Sequence, residues 1–307
     1  MNTHRARKLA AGFGLGLLMS LGDSAWGLLR LEQDNVAITP QTVEVASVAE
    51  LKRLFQRLDY AWPPRGPVPA VAVKTLPRDF PTIRQSSEKK ALFLSLLTPI
   101  VLHENRRLRE QRKLVNLLLS QPVNLGDGIY AEWLQRLART YRIDPPTDGA
   151  YHRIRDQLLA KLDEIPLQLV LAQAAIESGW GTSRFALEGN SLFGQWTYAK
   201  NAGLVPNRRD EGASHSVAAF PSLQASVRSY LNNLNRNRAY RELRQIRARL
   251  RQQGRPLDAH ALAAGLVRYS QRGEAYVEEV RRIIRSRSLA SLDQVTLRLA
   301  MVESIDG

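Results

Sequence analysis

The chain has 307 residues, of which 44% are hydrophobic, and this indicates a globular protein with one large domain or two ordinary ones. Its lack of cysteine excludes disulfides, thiolate catalysis and a lipid-modified cysteine at a mature N-terminus. The formal net charge of +15 favours an anionic partner, such as nucleic acid, a phospholipid surface or an acidic polymer.

Residues 1–27 have the pattern of an export signal. Basic residues between His4 and Lys8 precede an apolar run, residues 9–21, which is shorter than the roughly 20 residues of a permanent transmembrane helix. Cleavage after Gly27, or at the competing Gly22, is therefore favoured over anchoring and over a buried N-terminal helix. The pattern predicts an exported protein of the periplasm or cell envelope, with no permanent membrane span.

Residues 28–85 are interpreted as a linker, partly extended, because five prolines between Pro63 and Pro77 interrupt any long helix. A short helix is expected at residues 49–58, where the apolar positions share a face.

Residues 86–148 are predicted to form a helical N-terminal region. Pro99 is expected to divide the helical pattern of residues 86–120 into two helices, and a further helix is predicted at residues 130–141. His103 lies in this region without a second histidine at metal-ligand spacing, so we expect no metal site and no cofactor.

Residues 149–287 are predicted to form the largest domain, and its main helix ends in a carboxylate. Pro166 suits the start of this helix and Gly179 its left-handed end, so Glu177 falls in the last turn. The negative end of the helix dipole and shielding by Trp180 should raise the pKa of Glu177. A carboxyl group that stays protonated near neutral pH can act as a general acid.

A small β-hairpin is predicted after this helix, from a loop and strand at residues 190–198 and a strand at residues 214–220. Further helices are expected at residues 236–255, 259–267 and 275–286. The arginines of the first are interpreted as a solvated face, which is favoured over a dedicated binding patch. Residues 288–307 are interpreted as a C-terminal tail.

Aromatic residues near Glu177 are candidates for stacking on sugar rings, although such residues belong to the core at least as often. They are Trp180, for which a structural role is favoured, Phe193, Trp196 and Tyr198.

Three segments carry a resemblance to a known family: Glu177 within residues 172–181, the Asn-Ser-Leu-Phe-Gly run at residues 190–194, and Tyr269 with Tyr276. Together they resemble the glucosaminidase domain of bacterial cell-wall hydrolases, similar to glycoside hydrolase family 73. The resemblance implies a lysozyme-like α+β fold, mainly α, with a β-hairpin lobe and a groove. It also implies cleavage of the β-1,4 bond after N-acetylglucosamine in peptidoglycan.

The resemblance also implies roles for individual residues. Glu177 matches the general acid, and Tyr269 matches the tyrosine that faces it across the groove. Phe193 and Gly194 match the loop that lines the sugar subsites, where Tyr276 is a further candidate. The family usually has Ala-Thr-Asp after the first tyrosine, whereas this chain has Ser-Gln-Arg, ending in Arg272.

The second catalytic group is open at the level of sequence. Glu211 is preferred because the resemblance places the second acid in or beside the hairpin, with Asp210 and Glu188 as alternatives. Alternatively, no second protein carboxylate takes part. The 2-acetamido group of the substrate then attacks its own anomeric carbon, and Tyr269 orients that group.

The expected function is that of an endo-β-N-acetylglucosaminidase whose partners are peptidoglycan glycan strands and, through the positive charge, anionic cell-envelope surfaces. A lytic transglycosylase and a non-catalytic wall-binding protein are the alternatives. Nucleic acid is not expected, because the export signal argues against it and no basic motif with interleaved aromatics occurs.

Overall fold

The computed structural model describes residues 39–122, 125, 128–199, 201–206, 215–286, 289, 292 and 295–300. The predicted signal, residues 1–27, lies outside the described residues. The described chain forms two compact units: unit 1 contains residues 109–162, and unit 2 contains residues 39–108 and those from Asp163 onward.

The secondary structure is mainly helical, as predicted. In the described part of the chain the α-helices are α1 (Val48–Arg57), α2 (Ser86–Leu118), α3 (Ile129–Thr140), α4 (Arg155–Lys161), α5 (Leu167–Ser178), α6 (Arg184–Gly189), α7 (Leu223–Arg236), α8 (Arg241–Gln252), α9 (Ala259–Ala263) and α10 (Glu274–Ile284). The strands are β1 (Gln41–Val43), β2 (Val68–Pro69), β3 (Val71–Val73), β4 (Trp196–Thr197), β5 (Gly203–Leu204), β6 (Ser216–Ala218) and β7 (Leu297–Arg298). Of the helices described, none is both long and apolar enough to cross a membrane.

Unit 1 contains the end of α2 together with α3 and α4. Leu134 and Leu158 are fully buried in it. Arg112 donates to the carbonyl of Leu162 at 2.9 Å, and Lys161 donates to that of Tyr141 at 2.8 Å. These bonds fix the loop ends around α3 and α4, and α3 lies within one residue of the helix predicted at residues 130–141.

Helix α2 continues through Pro99, so the predicted division into two helices was wrong. A proline cannot donate to the carbonyl four residues earlier, which here belongs to Ser95. The Tyr60 hydroxyl donates to that carbonyl instead, at 3.0 Å. Because a buried side chain replaces the missing backbone donor, the helix tolerates the proline.

The segment interpreted as a linker is packed into unit 2 where it is described. Strand β1 pairs in parallel with β3, with Gln41 opposite Val71. Helix α1 buries Leu51, and the turn after β3 buries Phe80 completely. The prolines of this segment therefore separate short packed elements, whereas the sequence suggested extended chain.

The C-terminal tail also contributes to unit 2 where it is described. Strand β7 pairs in parallel with β2, which contains Pro69. The N–H groups of Val68 and Ala70 make the bonds to the tail, at 2.8 Å each. Pro69 lies between these two donors, so its missing N–H costs the ladder nothing.

Helix α5 is the central helix of unit 2 and packs against α9 and α10. Ten of its twelve residues are buried. It ends, as predicted, at Gly179 in the left-handed conformation, with φ 57°. Two residues later Gly181 has φ +81°, and a Cβ there would lie 2.9 Å from the ring of Phe93. This tight turn fixes the chain that leaves the helix just after Glu177.

The predicted hairpin forms between β4 and β6, with Trp196 opposite Val217. Strand β5 adds to the other side of β6, which gives a three-stranded antiparallel sheet in the order β4-β6-β5. A side chain at Gly203 would collide with the backbone of Val217, so this pairing requires glycine. Residues 207–214 of the predicted hairpin lie outside the described residues.

The arginine-rich helix α8 buries one of its arginines, which the sequence did not indicate. Arg247 is only 1% exposed and donates to Asn235 Oδ1 at 2.6 Å. Asp163, 2% exposed, lies 3.8 Å from Arg247 and binds the guanidinium of Arg251 through both oxygens, at 2.9 and 3.1 Å. Only part of the basic charge therefore lies on a solvated face.

Candidate active site

Glu177 lies in the last turn of α5, partly buried, and its pKa is raised from the ordinary glutamate value. Burial is the main cause, and the charge of Glu279 adds to it, while a hydrogen bond from Tyr276 and the charge of Arg272 act in the opposite direction. The direction agrees with the expectation from sequence. The indole of Trp180, expected to shield the carboxyl, packs edge-on against Phe93, with centroids 6.0 Å apart.

A chain of hydrogen bonds leads from the core of unit 2 to Glu177. The Tyr230 hydroxyl donates to Gln173 Oε1 at 2.5 Å, and Gln173 Nε2 donates to the Tyr276 hydroxyl oxygen at 2.9 Å. Tyr276 then donates to Glu177 Oε1 at 2.7 Å. Each hydroxyl has a single hydrogen, so the amide of Gln173 directs the hydrogen of Tyr276 toward the carboxyl group.

This chain distinguishes the two oxygens of Glu177. Because Oε1 accepts the hydrogen of Tyr276, the proton of a neutral Glu177 is placed on Oε2. A Cβ at Gly194 would lie 3.8 Å from Oε2, and Gly194 is exposed with φ +59°. The oxygen that bears the proton therefore faces an exposed glycine, which has no side chain of its own to cover it.

The two predicted tyrosines have contacts that differ from the roles given to them. Tyr276 was expected at a sugar subsite, but it is 1% exposed and is the tyrosine that bonds the acid. Tyr269, expected opposite the acid, donates instead to the carbonyl of Phe193 at 3.0 Å. Their rings stack with centroids 5.4 Å apart and an angle of 6°. Tyr269 thus supports both Tyr276 and the loop before Gly194.

The candidate sugar-binding aromatics divide into buried and exposed residues. Phe193 is 3% exposed and stacks on Tyr230 at 3.8 Å, so its ring belongs to the core. Trp196 is 61% exposed on β4 and stacks on His215 at 4.2 Å, and Tyr198 is 72% exposed. The last two present ring surface to solvent beside the loop that carries Gly194.

The second catalytic group stays a prediction. Glu211 and Asp210 lie outside the described residues. Glu188 is exposed on α6, and its carboxylate lies 3.3 Å from Arg184. The described carboxylate whose charge acts on Glu177 is Glu279, which pairs with Arg272 at 2.6 Å.

Sequence reasoning missed Gln173 and Glu279, although each had a signal. Gln173 is a polar residue in an apolar helix, one turn before Glu177, and therefore on the same face. Glu279 follows Tyr276 by three residues on α10, again on one face. Among the residues that the structure describes, no group of three or more histidines and carboxylates is placed to hold a metal.

Comparison with known proteins identifies the domain that contains this site. Residues 155–289 match the glucosaminidase family, described as mannosyl-glycoprotein endo-beta-N-acetylglucosaminidase. The chain carries a glucosaminidase domain. The match confirms both the resemblance and the mainly α, lysozyme-like fold class of this domain. The matched residues include Glu177, Tyr269 and Tyr276. The domain boundaries expected from the sequence, residues 149–287, stay a prediction.

The glucosaminidase domain is embedded in a longer similarity. The chain is 32% identical over 191 residues to the protein bax of Escherichia coli (strain K12), which makes it Bax-like. The aligned region covers 61% of this chain and 66% of that protein, slightly less than two thirds of the relative's length. No solved structure matches the chain significantly.

The hydrogen bond from Tyr276 predicts a shift in pH dependence. Tyr276→Phe removes a bond that favours ionised Glu177, so the pKa of Glu177 should rise further. A general acid works only while protonated, so the alkaline limb of kcat/KM should move to higher pH. A pH profile on soluble glycan checks this, with Tyr151→Phe as a control far along the chain. An unmoved limb, or one displaced to lower pH, would contradict the assignment.

Proposed function

We propose that this protein hydrolyses the β-1,4 bond after N-acetylglucosamine in peptidoglycan, with Glu177 as the general acid. A glucosaminidase domain supports glycan-cleaving activity in general, and the site supports the finer assignment. The observation that carries it is a partly buried carboxyl group with a raised pKa, held at Oε1 by Tyr276 and open at Oε2 toward Gly194.

The mechanism begins with proton transfer from Glu177 Oε2 to the glycosidic oxygen as the bond to the anomeric carbon breaks. Positive charge develops on the sugar ring, and the ionised Glu177 that remains is next to it. Water then adds to the anomeric carbon and its released proton returns to Glu177. The group that stabilises the anomeric carbon in between is Glu211, Asp210, Glu188 or the substrate's own acetamido group.

The location follows from the signal-like residues 1–27. We propose export to the periplasm or cell envelope, where peptidoglycan is present. The formal charge of +15 suits this setting, because the stem peptides of peptidoglycan and the membrane surface are both acidic.

A lytic transglycosylase is the second candidate. It is favoured by one observation: Glu279, the described carboxylate that acts on Glu177, is already paired with Arg272. A transglycosylase needs only one carboxyl group, because the muramic 6-hydroxyl replaces water at the anomeric carbon. It would leave anhydromuramic ends, whereas the proposed hydrolase leaves reducing N-acetylglucosamine ends.

A zymogram on purified sacculi tests whether the protein cleaves glycan at all. We expect the wild type to give a clearing band that Glu177→Gln abolishes. No band from folded wild-type protein, together with retained binding to sacculi, would instead identify a non-catalytic wall-binding protein.

Trp196 provides a test of the glycan path. Trp196→Ala should raise KM by about three- to tenfold with little change in kcat, because a stacking contact of this kind contributes in that range. Leu299→Ala is the matched control, since Leu299 is equally exposed, at 62%, and far along the chain from Trp196. A large fall in kcat with unchanged KM would contradict a role in glycan binding.

A further inference from the structure

A concave surface of unit 2 is lined by residues that are next to Tyr240 and Tyr269 in the chain. It encloses about 820 Å³ between the turn before α8, the outer side of α8 and the segment before α10. Four arginines and two glutamates supply its charged lining: Arg238, Arg241, Arg249, Arg268, Glu242 and Glu274. We refer to it as the arginine cleft.

The four arginines of the cleft differ in their surroundings from the arginines on the buried side of α8. All four are exposed, and none has a carboxylate partner among the residues that the structure describes. On the same helix α8, Arg247 and Arg251 turn the other way and interact with Asp163. Helix α8 therefore pairs Arg247 and Arg251 with Asp163 and directs Arg241 and Arg249, which have no described carboxylate partner, into the cleft.

The walls of the cleft are held in place by the fold. Arg244 donates to the carbonyls of Leu234 and Asn237, both at 2.8 Å, which fixes the turn that carries Arg238. Gly265 packs so closely on Leu243 that a Cβ would collide with its backbone. The backbone that carries the cations is thus held in place, so a ligand does not have to order it on binding.

A row of tyrosines connects the cleft to the acid. Tyr240, between cleft residues in the chain, has its ring 5.8 Å from that of Tyr269. Tyr269 follows Arg268 and stacks on Tyr276, which bonds Glu177. The charge of Glu177 also acts on the Tyr240 hydroxyl, so the end of the cleft next to Tyr240 lies close to the acid.

We propose that the arginine cleft binds carboxylates of the acidic peptides that branch from the glycan under cleavage. The inference rests on the proposed function, because that substrate carries such peptides close to the bond that is cut. Guanidinium groups are matched to carboxylates in charge and in the geometry of their donors. The concave shape, and the closeness of one end of the cleft to the acid through Tyr240, favour a peptide branch over a flat lipid surface.

The test measures binding without cleavage, in the Glu177→Gln protein. Its affinity is compared for peptide-bearing glycan strands and for strands stripped of peptides by an amidase, at low salt. The cleft variant is Arg241→Gln/Arg249→Gln, both on exposed positions of α8. The matched control is Arg53→Gln/Arg57→Gln, which removes two exposed charges from α1.

We expect the unmodified cleft to favour peptide-bearing strands by about fivefold, the range of one or two exposed ion pairs, and the cleft variant to lose this preference. The control variant should keep it. Equal affinity for both strands, or equal losses in the cleft and control variants, would overturn the proposal. The proposal would also be overturned if the cleft variant bound glycan strands as before and lost binding only to anionic phospholipid vesicles.

Failure of the proposed function is distinguishable from failure of this inference. Cleavage of peptide-free strands by the wild type tests the activity of Glu177 alone. If the protein binds peptide-bearing strands through the cleft but cleaves no glycan, the peptide site stands and the proposed hydrolase activity is rejected. If it cleaves glycan but does not prefer peptide-bearing strands, the activity stands and the peptide site is rejected.

Discussion

Replacing Glu177 by glutamine is expected to lower kcat by about 10²–10⁴-fold, the usual contribution of a general acid. Glutamine keeps the shape of the side chain and can still accept the hydrogen bond from Tyr276, but it has no proton to transfer. Initial rates on peptidoglycan, measured from reducing ends released, provide the comparison. Retention of more than a tenth of the wild-type rate would remove Glu177 from the role of acid.

Two controls separate lost chemistry from lost folding. Glu278→Gln makes the same change at an exposed position on α10 and should keep the wild-type rate. The raised pKa of Glu177 means that the folded state favours its neutral form. The stabilisation from this preference is complete below the ordinary glutamate pKa and is lost as the pH rises through the raised pKa. At neutral pH, Glu177→Gln should therefore be at least as stable as the wild type.

Asp163→Ala is expected to lower the free energy of unfolding of unit 2 by about 3–5 kcal/mol, because it leaves a buried guanidinium without its counter-charge. Arg247 is 1% exposed and Asp163 is 2% exposed, so water cannot replace the lost carboxylate. Arg251 loses both of its bonds to Asp163, at 2.9 and 3.1 Å. Chemical denaturation followed by circular dichroism measures the change.

An exposed ion pair of the same unit provides the control for this variant. Glu44 pairs with Lys74 at 2.6 Å, and its side chain is 73% exposed. Glu44→Ala should therefore change the free energy of unfolding by about 1 kcal/mol or less. If the two variants lost similar amounts of the free energy of unfolding, the burial of Asp163 and Arg247 would not explain the stability that Asp163 contributes.

The local elements near the site could be predicted because their signals are local. Gly179 ends α5 in the left-handed conformation that glycine adopts readily, as the sequence predicted. The pairing of the two strands at residues 190–198 and 214–220 was predicted from the alternation of their residues, and β4 pairs with β6. The family resemblance then identified Glu177, which sequence alone placed at a helix end.

The long-range contacts could not be predicted in the same way. Pro99 predicts a helix break, because the sequence does not show that the hydroxyl of Tyr60, 35 residues before Ser95, donates to the Ser95 carbonyl. The contact between Tyr276 and Glu177 joins residues 99 positions apart, and nothing local distinguishes Tyr276 from Tyr269 as the donor. Roles of this kind depend on how α10 packs against α5, which is a property of the folded chain.

Mass spectrometry of the fragments released from purified peptidoglycan determines which bond the protein cleaves and whether Glu177 is needed. We expect fragments that end in reducing N-acetylglucosamine from the wild type and none above background from Glu177→Gln. Anhydromuramic ends, or reducing N-acetylmuramic acid ends, would contradict this expectation.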